Sequence, residues 1–281
     1  MTQDTKPVSG SPKAYRYFFF FTVIAGFLGS AFQIFLYLTE YDWNVGMYRA
    51  GSSVVNAFLI FCAVSVGIIL LMPLLLKPRR DPILRPRTDT ALLMTSFLSG
   101  FILIAVFVLR MAAGGQMTGA GAAGKLFSVA SLILIFPASA FFLVPIIRRP
   151  SEKVVTALAF FPVLWCGAFL MTVYFDRSCA LSSPIRVLTQ LSLIATMLYF
   201  LSELRFRIGK PKTTLYFMCA NLAILLSFLS AVPLITLSFI QGWVVTNDVL
   251  YSSVQFCFLT YFLARVISML KAEPDLQKPA A

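Results

Sequence analysis

The chain has 281 residues, of which 59% are hydrophobic and only 12% charged, with a mean hydropathy of +0.86. Those values exclude an ordinary soluble domain, and several apolar runs reach the roughly 20 residues needed to cross a bilayer. The net charge of +12 comes in short clusters between apolar runs, with no nucleic-acid-binding module among them, so it reads as membrane topology and not as DNA or RNA binding.

Residues 1–14 are polar, with Ser, Pro and Lys, and read as a disordered tail. The first apolar run, Tyr17 to Leu38, is too long for a signal-peptide core and has no small-residue cleavage pattern after it, so it reads as a retained span. Tyr15, Arg16 and Tyr17 suit one membrane interface, and Tyr41, Trp43 and Tyr48 the opposite one. Small residues four apart (Ala25/Gly29, Gly26/Ser30 and Ser96/Gly100) permit close helix approach.

Further spans are expected at Gly51–Leu76, Ala91–Arg110, Leu126–Ile147, Val154–Phe175, Ile185–Leu204, Thr214–Ile240 and Val249–Leu270. Eight spans put both termini on one side. Eighteen cations fall there: Lys6, Lys13 and Arg16; Lys77, Arg79, Arg80, Arg85 and Arg87; Arg148, Arg149 and Lys153; Arg205, Arg207, Lys210 and Lys212; Arg265, Lys271 and Lys278. Five fall opposite: Arg49, Arg110, Lys125, Arg177 and Arg186. That bias predicts cytoplasmic termini. The expected fold is all-α: one eight-helix transmembrane domain over residues 15–270, followed by a cytoplasmic tail at 271–281. Short connections and the absence of any Asn-x-Ser/Thr sequon suit a bacterial cytoplasmic membrane.

The connection from Lys77 to Arg87 holds three prolines and five cations, including Arg79, Arg80, Arg85 and Arg87. Attraction to anionic lipid headgroups explains it at about 1 kcal/mol per cation; docking of a cytoplasmic partner is the sharper reading. Gly119 to Lys125 reads GAGAAGK, near the spacing of a phosphate-binding loop. No strand precedes it, and Leu126 stands where Ser or Thr should hold magnesium, so Ala112 to Gly124 reads as a flexible loop. Prolines within or near spans (Pro73, Pro137, Pro145, Pro162 and Pro233) are candidate kinks.

The sixth span is the most informative. Ser183 and Pro184 read as its cap and first residue. Thr189, Ser192, Thr196, Tyr199 and Glu203 then fall at alternating steps of three and four, one face of a helix. A polar stripe facing lipid would lack partners, so this helix is expected at the centre of the bundle. Glu203 is either an ion or proton site at the cytoplasmic mouth or the (i, i+4) partner of Arg207. Arg265 reads as an anchor snorkelling to the headgroups. Tyr199-Phe200-Leu201 and Tyr261-Phe262-Leu263 fall at similar depth on two spans, which is too little to argue duplication.

Four amides, Gln33, Asn56, Gln190 and Gln255, lie on four spans about five to seven residues inside the expected outer boundary, a layer roughly 8–10 Å deep. Asp176, Arg177, Arg186 and Asp248 lie above it. These residues form either an outward polar vestibule for a ligand or interhelical hydrogen bonds of about 0.6 kcal/mol each.

The chain has no histidine, no paired carboxylates at membrane depth and no nucleophile motif. The five cysteines show no CxxC pairing: Cys62, Cys166, Cys219 and Cys257 fall in spans as small apolar residues, and Cys179 in a loop. The reading is therefore no enzyme, no metal and no cofactor. The expectation is a non-catalytic membrane component that meets the lipid bilayer and works with a membrane or cytoplasmic protein partner through its basic loops. The alternative is a permease or small-molecule receptor for a neutral or zwitterionic ligand.

Overall fold

The computed structural model describes residues 12–43, 45–76, 89–112, 121–147, 152–176, 180, 182–210, 212–241 and 247–271. The elements, in order, are α1 (Pro12–Thr39), β1 (Tyr41–Asp42), β2 (Met47–Tyr48), α2 (Ser53–Leu76), α3 (Thr90–Ala112), α4 (Ala122–Ile147), α5 (Glu152–Leu158), α6 (Phe160–Phe175), α7 (Pro184–Arg207), α8 (Thr213–Gln241) and α9 (Asn247–Lys271). Among the described residues, eight helical stretches are long and apolar enough to cross a membrane, with α5 and α6 together making the fifth. In such runs the chain satisfies its own backbone polar groups, which lipid cannot do.

The boundaries differ from expectation where propensity carries a helix past its apolar run. α1 begins at Pro12, inside the segment read as tail. α4 begins at Ala122, so the Ala-rich end of the expected loop is its first turn. The fifth span breaks at Ala159, because Pro162 has no N–H for the Leu158 carbonyl and its ring crowds that group. α2 and α8 continue through Pro73 and Pro233. α7 starts at Pro184 after Ser183 as expected, but the Ser183 side chain makes no capping bond.

An antiparallel ribbon departs from the all-α expectation: Tyr41 pairs Tyr48 and Asp42 pairs Met47. Gly46, at φ +73°, makes its turn. Contacts between helix ends gather at two ends of the bundle, Arg16 with Leu270 and Lys271 with Asp89 at one, Arg110 with Ser128 and Arg186 with Tyr174 at the other. One end, from which α1 starts and α9 leaves, is the terminal end; the end bearing the ribbon is the ribbon end.

Helices α3, α4, α6, α7, α8 and α9 pack in that order into a ring that closes from α9 back to α3. α1 and α2 lie outside it against α8, and α5 flanks α4 and α6. The hub is therefore α8, not the polar-striped α7. Of the residues in the apolar stretch of α8, 61% are buried, the same share as in α9, against 50% in α7 and 17% in α2. A polar stripe requires one covered face, whereas α8 touches α1, α2, α7 and α9 and is covered nearly all round.

Small residues let α1 approach α8 closely. A Cβ on Gly26 would stand 2.7 Å from Phe228 Cδ2, and one on Gly29 2.6 Å from Leu229 Cδ2. Through that contact Ser30 Oγ donates to the Phe228 carbonyl at 2.8 Å. Gly100 serves α3 and α4 in the same way, with Leu143 Cγ 2.7 Å from its ideal Cβ. All three glycines belong to the spaced pairs identified in the sequence.

Aromatic side chains fill the ring. Phe142 of α4 meets Phe200 of α7 at 5.9 Å and Phe258 of α9 at 5.5 Å between centroids. Trp165 of α6 meets Phe258 edge-on at 5.9 Å. The two Tyr-Phe-Leu triplets meet here, with Tyr199 4.3 Å from Phe262. Such contacts contribute about 0.5–1.5 kcal/mol each beyond area burial.

Candidate functional site

The polar stripe of α7 faces inward. Ser192, Thr196, Tyr199 and Glu203 are each 1% exposed or less. Thr189, half-buried, returns its hydroxyl to the Ile185 carbonyl. Ser192 lies 3.4 Å from Ser227 Oγ, and Tyr199 Oη 3.1 Å from Tyr216 Oη, both on α8. Between those contacts Ala220 and Ala223, fully buried, continue the seam at helical spacing.

The stripe ends in a buried ionic cluster at the terminal end. Glu203 lies four residues inside the end of α7 and Arg265 six inside the end of α9, about 6 and 9 Å deep at 1.5 Å per residue. Arg265 donates Nη2 to Glu203 Oε1 at 2.5 Å and Nε to Oε2 at 3.4 Å. Arg207 Nη2 reaches Oε1 at 3.2 Å, realising the (i, i+4) pair expected from sequence. Its guanidinium also covers the Phe141 ring of α4 at 5.2 Å. One carboxylate thus ties α7 to α9 directly and to α4 through Arg207. Tyr15 of α1 meets Thr214 of α8 at 3.0 Å, and Arg16 donates to the Leu270 carbonyl at 3.2 Å.

Arg265 is accordingly 8% exposed and ion-paired, not snorkelling as expected. A charge of opposite sign at matching depth makes burial cheaper than exposure to lipid. The signal was present, since Glu203 and Arg265 fall just inside the ends of two spans that end on the same side. What sequence lacks is the rotation of each helix about its axis.

The expected amide layer is dispersed. Gln33, 1% exposed, donates Nε2 to Tyr37 Oη on its own helix at 2.7 Å. Gln255, 3% exposed, accepts from Ser230 of α8. Gln190 is half-buried, and Asn56 is exposed on α2, outside the ring. No hydrogen bond among the described residues joins any two of these amides. Gln33 lies on α1, which packs outside the ring mainly against α8, whereas Gln255 lies on α9 within it.

At the ribbon end Arg186 is 6% exposed and donates to the Tyr174 carbonyl of α6. Arg110, 5% exposed, donates to Ser128 Oγ of α4 at 3.0 Å and lies 5.5 Å from the Tyr251 ring of α9. Asp176 is half-buried just beyond α6. Arg79, Arg80, Arg85, Arg87, Arg177 and Cys179 lie outside the described residues, as does the side chain of Asp248.

The ribbon gathers Tyr37, Tyr41, Trp43 and Tyr48 into one cluster, with centroid separations from 4.6 Å for Tyr41–Trp43 to 6.0 Å for Tyr37–Tyr48. Burial pushes the Tyr48 hydroxyl above its ordinary titration range, so it stays neutral. Cys166, Cys219 and Cys257 are buried free thiols, and Cys62 is half-buried. Among the described residues no group of three or more His, Cys, Asp or Glu side chains could hold a metal. No protein family model, curated protein or solved structure matches the chain.

Proposed function

We propose that the chain is a non-catalytic multi-pass component of a bacterial cytoplasmic membrane, with both termini inside, acting with a protein partner through its basic cytoplasmic side. The observation that supports this most is the turn joining α7 to α8. Gly209, at φ +80°, closes it, and Arg205, Lys210 and Lys212 stand exposed around it. Its base is held by the buried Glu203, Arg265 and Arg207 cluster, so these cations project from a fixed platform. A fixed patch of one sign suits an acidic protein surface, and the aromatic filling of the ring leaves α7 a wall and not a pore lining.

The test places a photo-crosslinking residue at Ile208, which is 51% exposed beside these cations. In native membranes the expected product is one protein at fixed stoichiometry, lost when Arg205, Lys210 and Lys212 are changed to Glu and retained in Arg49→Gln at the other end. Adducts with lipid alone would overturn the partner reading and leave anionic headgroups as the contact.

One observation favours a second reading, a permease or receptor for a neutral or zwitterionic solute. Gln33 Oε1, Asn221 Oδ1 and Gln255 Nε2 are buried without hydrogen-bond partners among the described residues. Saturable stabilisation of the purified protein by such a solute, with no partner present, would favour it.

A further inference from the structure

The outward face of α7 leads to the cations of the α7–α8 turn. Val187, Leu191, Ile194, Leu198 and Leu201 stand exposed at alternating steps of four and three, and Arg205 and Ile208 continue the row towards Lys210 and Lys212. Each of the five apolar residues is 38–44% exposed, against 48–67% for the large apolar residues exposed on α2, so the row lies recessed between its neighbours. On α6, Leu164, Gly167, Met171 and Tyr174 make the outward row, and a Cβ on Gly167 would meet nothing within 4 Å. Arg186 of α7 donates to the Tyr174 carbonyl, which sets the two antiparallel helices level there. Gly167 and Ile194 lie seven and eight residues further along, about 11 and 12 Å from that contact. The notch in α6 is therefore level with the middle of the α7 row. Gln190, half-buried about 9 Å inside the start of α7, makes no hydrogen bond among the described residues.

Lipid tails offer an amide no partner. Membrane helices pack where a small residue admits a close approach and a polar side chain can bond across the contact. The Gly167 notch, the Gln190 amide and the recessed aliphatic row bring those features together on one face. The cations then choose the occupant. A second copy, inserted the same way round and packed on this row, would set Arg205, Lys210 and Lys212 against themselves at the same depth, which is repulsive. We infer that the outward face of α6 and α7 seats the membrane-spanning helix of a different protein, whose chain carries Asp or Glu where it leaves the membrane beside the α7–α8 turn. The inference rests on the partner reading and specifies that partner as an integral membrane protein, held by helix packing along α7 and by charge at its end.

The test places the photo-crosslinking residue at Leu191 and at Leu198 in turn, in native membranes, with Leu71 on the exposed face of α2 as the control. The expected product at both α7 positions is the protein captured at Ile208, and Leu71 gives none of it. The joined peptide comes from an apolar stretch of about 20 residues with acidic residues following it on the side of the α7–α8 turn. Gly167→Leu fills the notch from outside the core, so the chain still folds, and it lowers the yield at all three α7 positions about tenfold or more. Gln190→Leu lowers it about threefold, the loss of one hydrogen bond between membrane helices. Capture of a protein at Ile208 with only lipid at Leu191 and Leu198 overturns the membrane-helix inference and leaves the partner reading standing. Lipid alone at all three positions overturns both. A second copy of this chain at Leu191 and Leu198, or a yield that Gly167→Leu leaves unchanged, also overturns the inference.

Discussion

Changing Glu203 to Gln keeps the shape of the side chain and removes one charge, and the structure fixes how much this should cost. Glu203 is 1% exposed and accepts from Arg265 at 2.5 and 3.4 Å and from Arg207 at 3.2 Å. Without the carboxylate charge, Arg265 becomes an uncompensated cation about two turns inside a helix end. Breaking a buried pair in this way costs about 3–5 kcal/mol, or two to three and a half orders of magnitude in the unfolding equilibrium. Arg207 contributes less, because its side chain is 25% exposed and recovers hydration when unpaired. Arg207→Gln should therefore cost about 0–1 kcal/mol. Arg265→Gln should fall between the two, since Arg207 still faces Glu203. Replacing the pair together, with Glu203→Leu and Arg265→Met, should recover most of the single-variant loss. The assay is reversible SDS unfolding in mixed micelles, followed by circular dichroism, with the unsubstituted protein, Glu203→Leu, Arg265→Met and the double variant measured as one cycle beside the Gln variants. A Glu203→Gln loss below about 1 kcal/mol, or no coupling between the two residues, would refute the buried triad as the structural tie at this end.

Gly26→Ala should destabilise by about 1–3 kcal/mol through the clash with Phe228, whereas Gly67→Ala, with nothing within 4 Å of its Cβ, should be neutral or stabilising by up to about 1 kcal/mol in the same assay. Tyr199→Phe removes one hydroxyl from the Tyr216 contact and should cost about 0.6 kcal/mol, and the same change in a Tyr216→Phe background should cost measurably less. Single cysteines, in a background with native cysteines replaced, should not react with a membrane-impermeant maleimide at Gln33 or Gln255. Rapid labelling at Gln255 would mean that water reaches the ring interior, in conflict with its 3% exposure.

Much of the fold was legible because the cost of polar backbone in lipid is paid locally. Backbone in lipid must satisfy itself, so apolar length identified eight stretches long enough to cross a bilayer, and among the described residues all eight are helical. The inward face of α7 was legible for a related reason: hydroxyls at three- and four-residue steps are costly facing lipid, and four of the five stripe residues are buried. Spaced small residues pointed correctly to close packing at Gly26, Gly29 and Gly100. The ribbon was missed because two paired residues per strand leave little alternation to detect.

What depth alone specified went wrong wherever partners depend on rotation and neighbourhood. Gln33, Asn56, Gln190 and Gln255 fall at similar distances along their spans in sequence, yet they lie on four different helices, and no hydrogen bond among the described residues joins any two of them. Glu203 and Arg265 each had a local explanation, in Arg207 and in the headgroups, and only the side-by-side packing of the α7 and α9 ends made them partners. The hub role of α8 has the same origin, since apolar residues read alike whether they meet lipid or protein. Sequence by itself determined which segments are long and helical and which face of α7 rejects lipid, because those costs are settled within one helix. The order of the ring, its aromatic filling and the pairing of buried charges were decided by the tertiary structure, because each is a contact between helices distant in the chain whose energy exists only once both are in place.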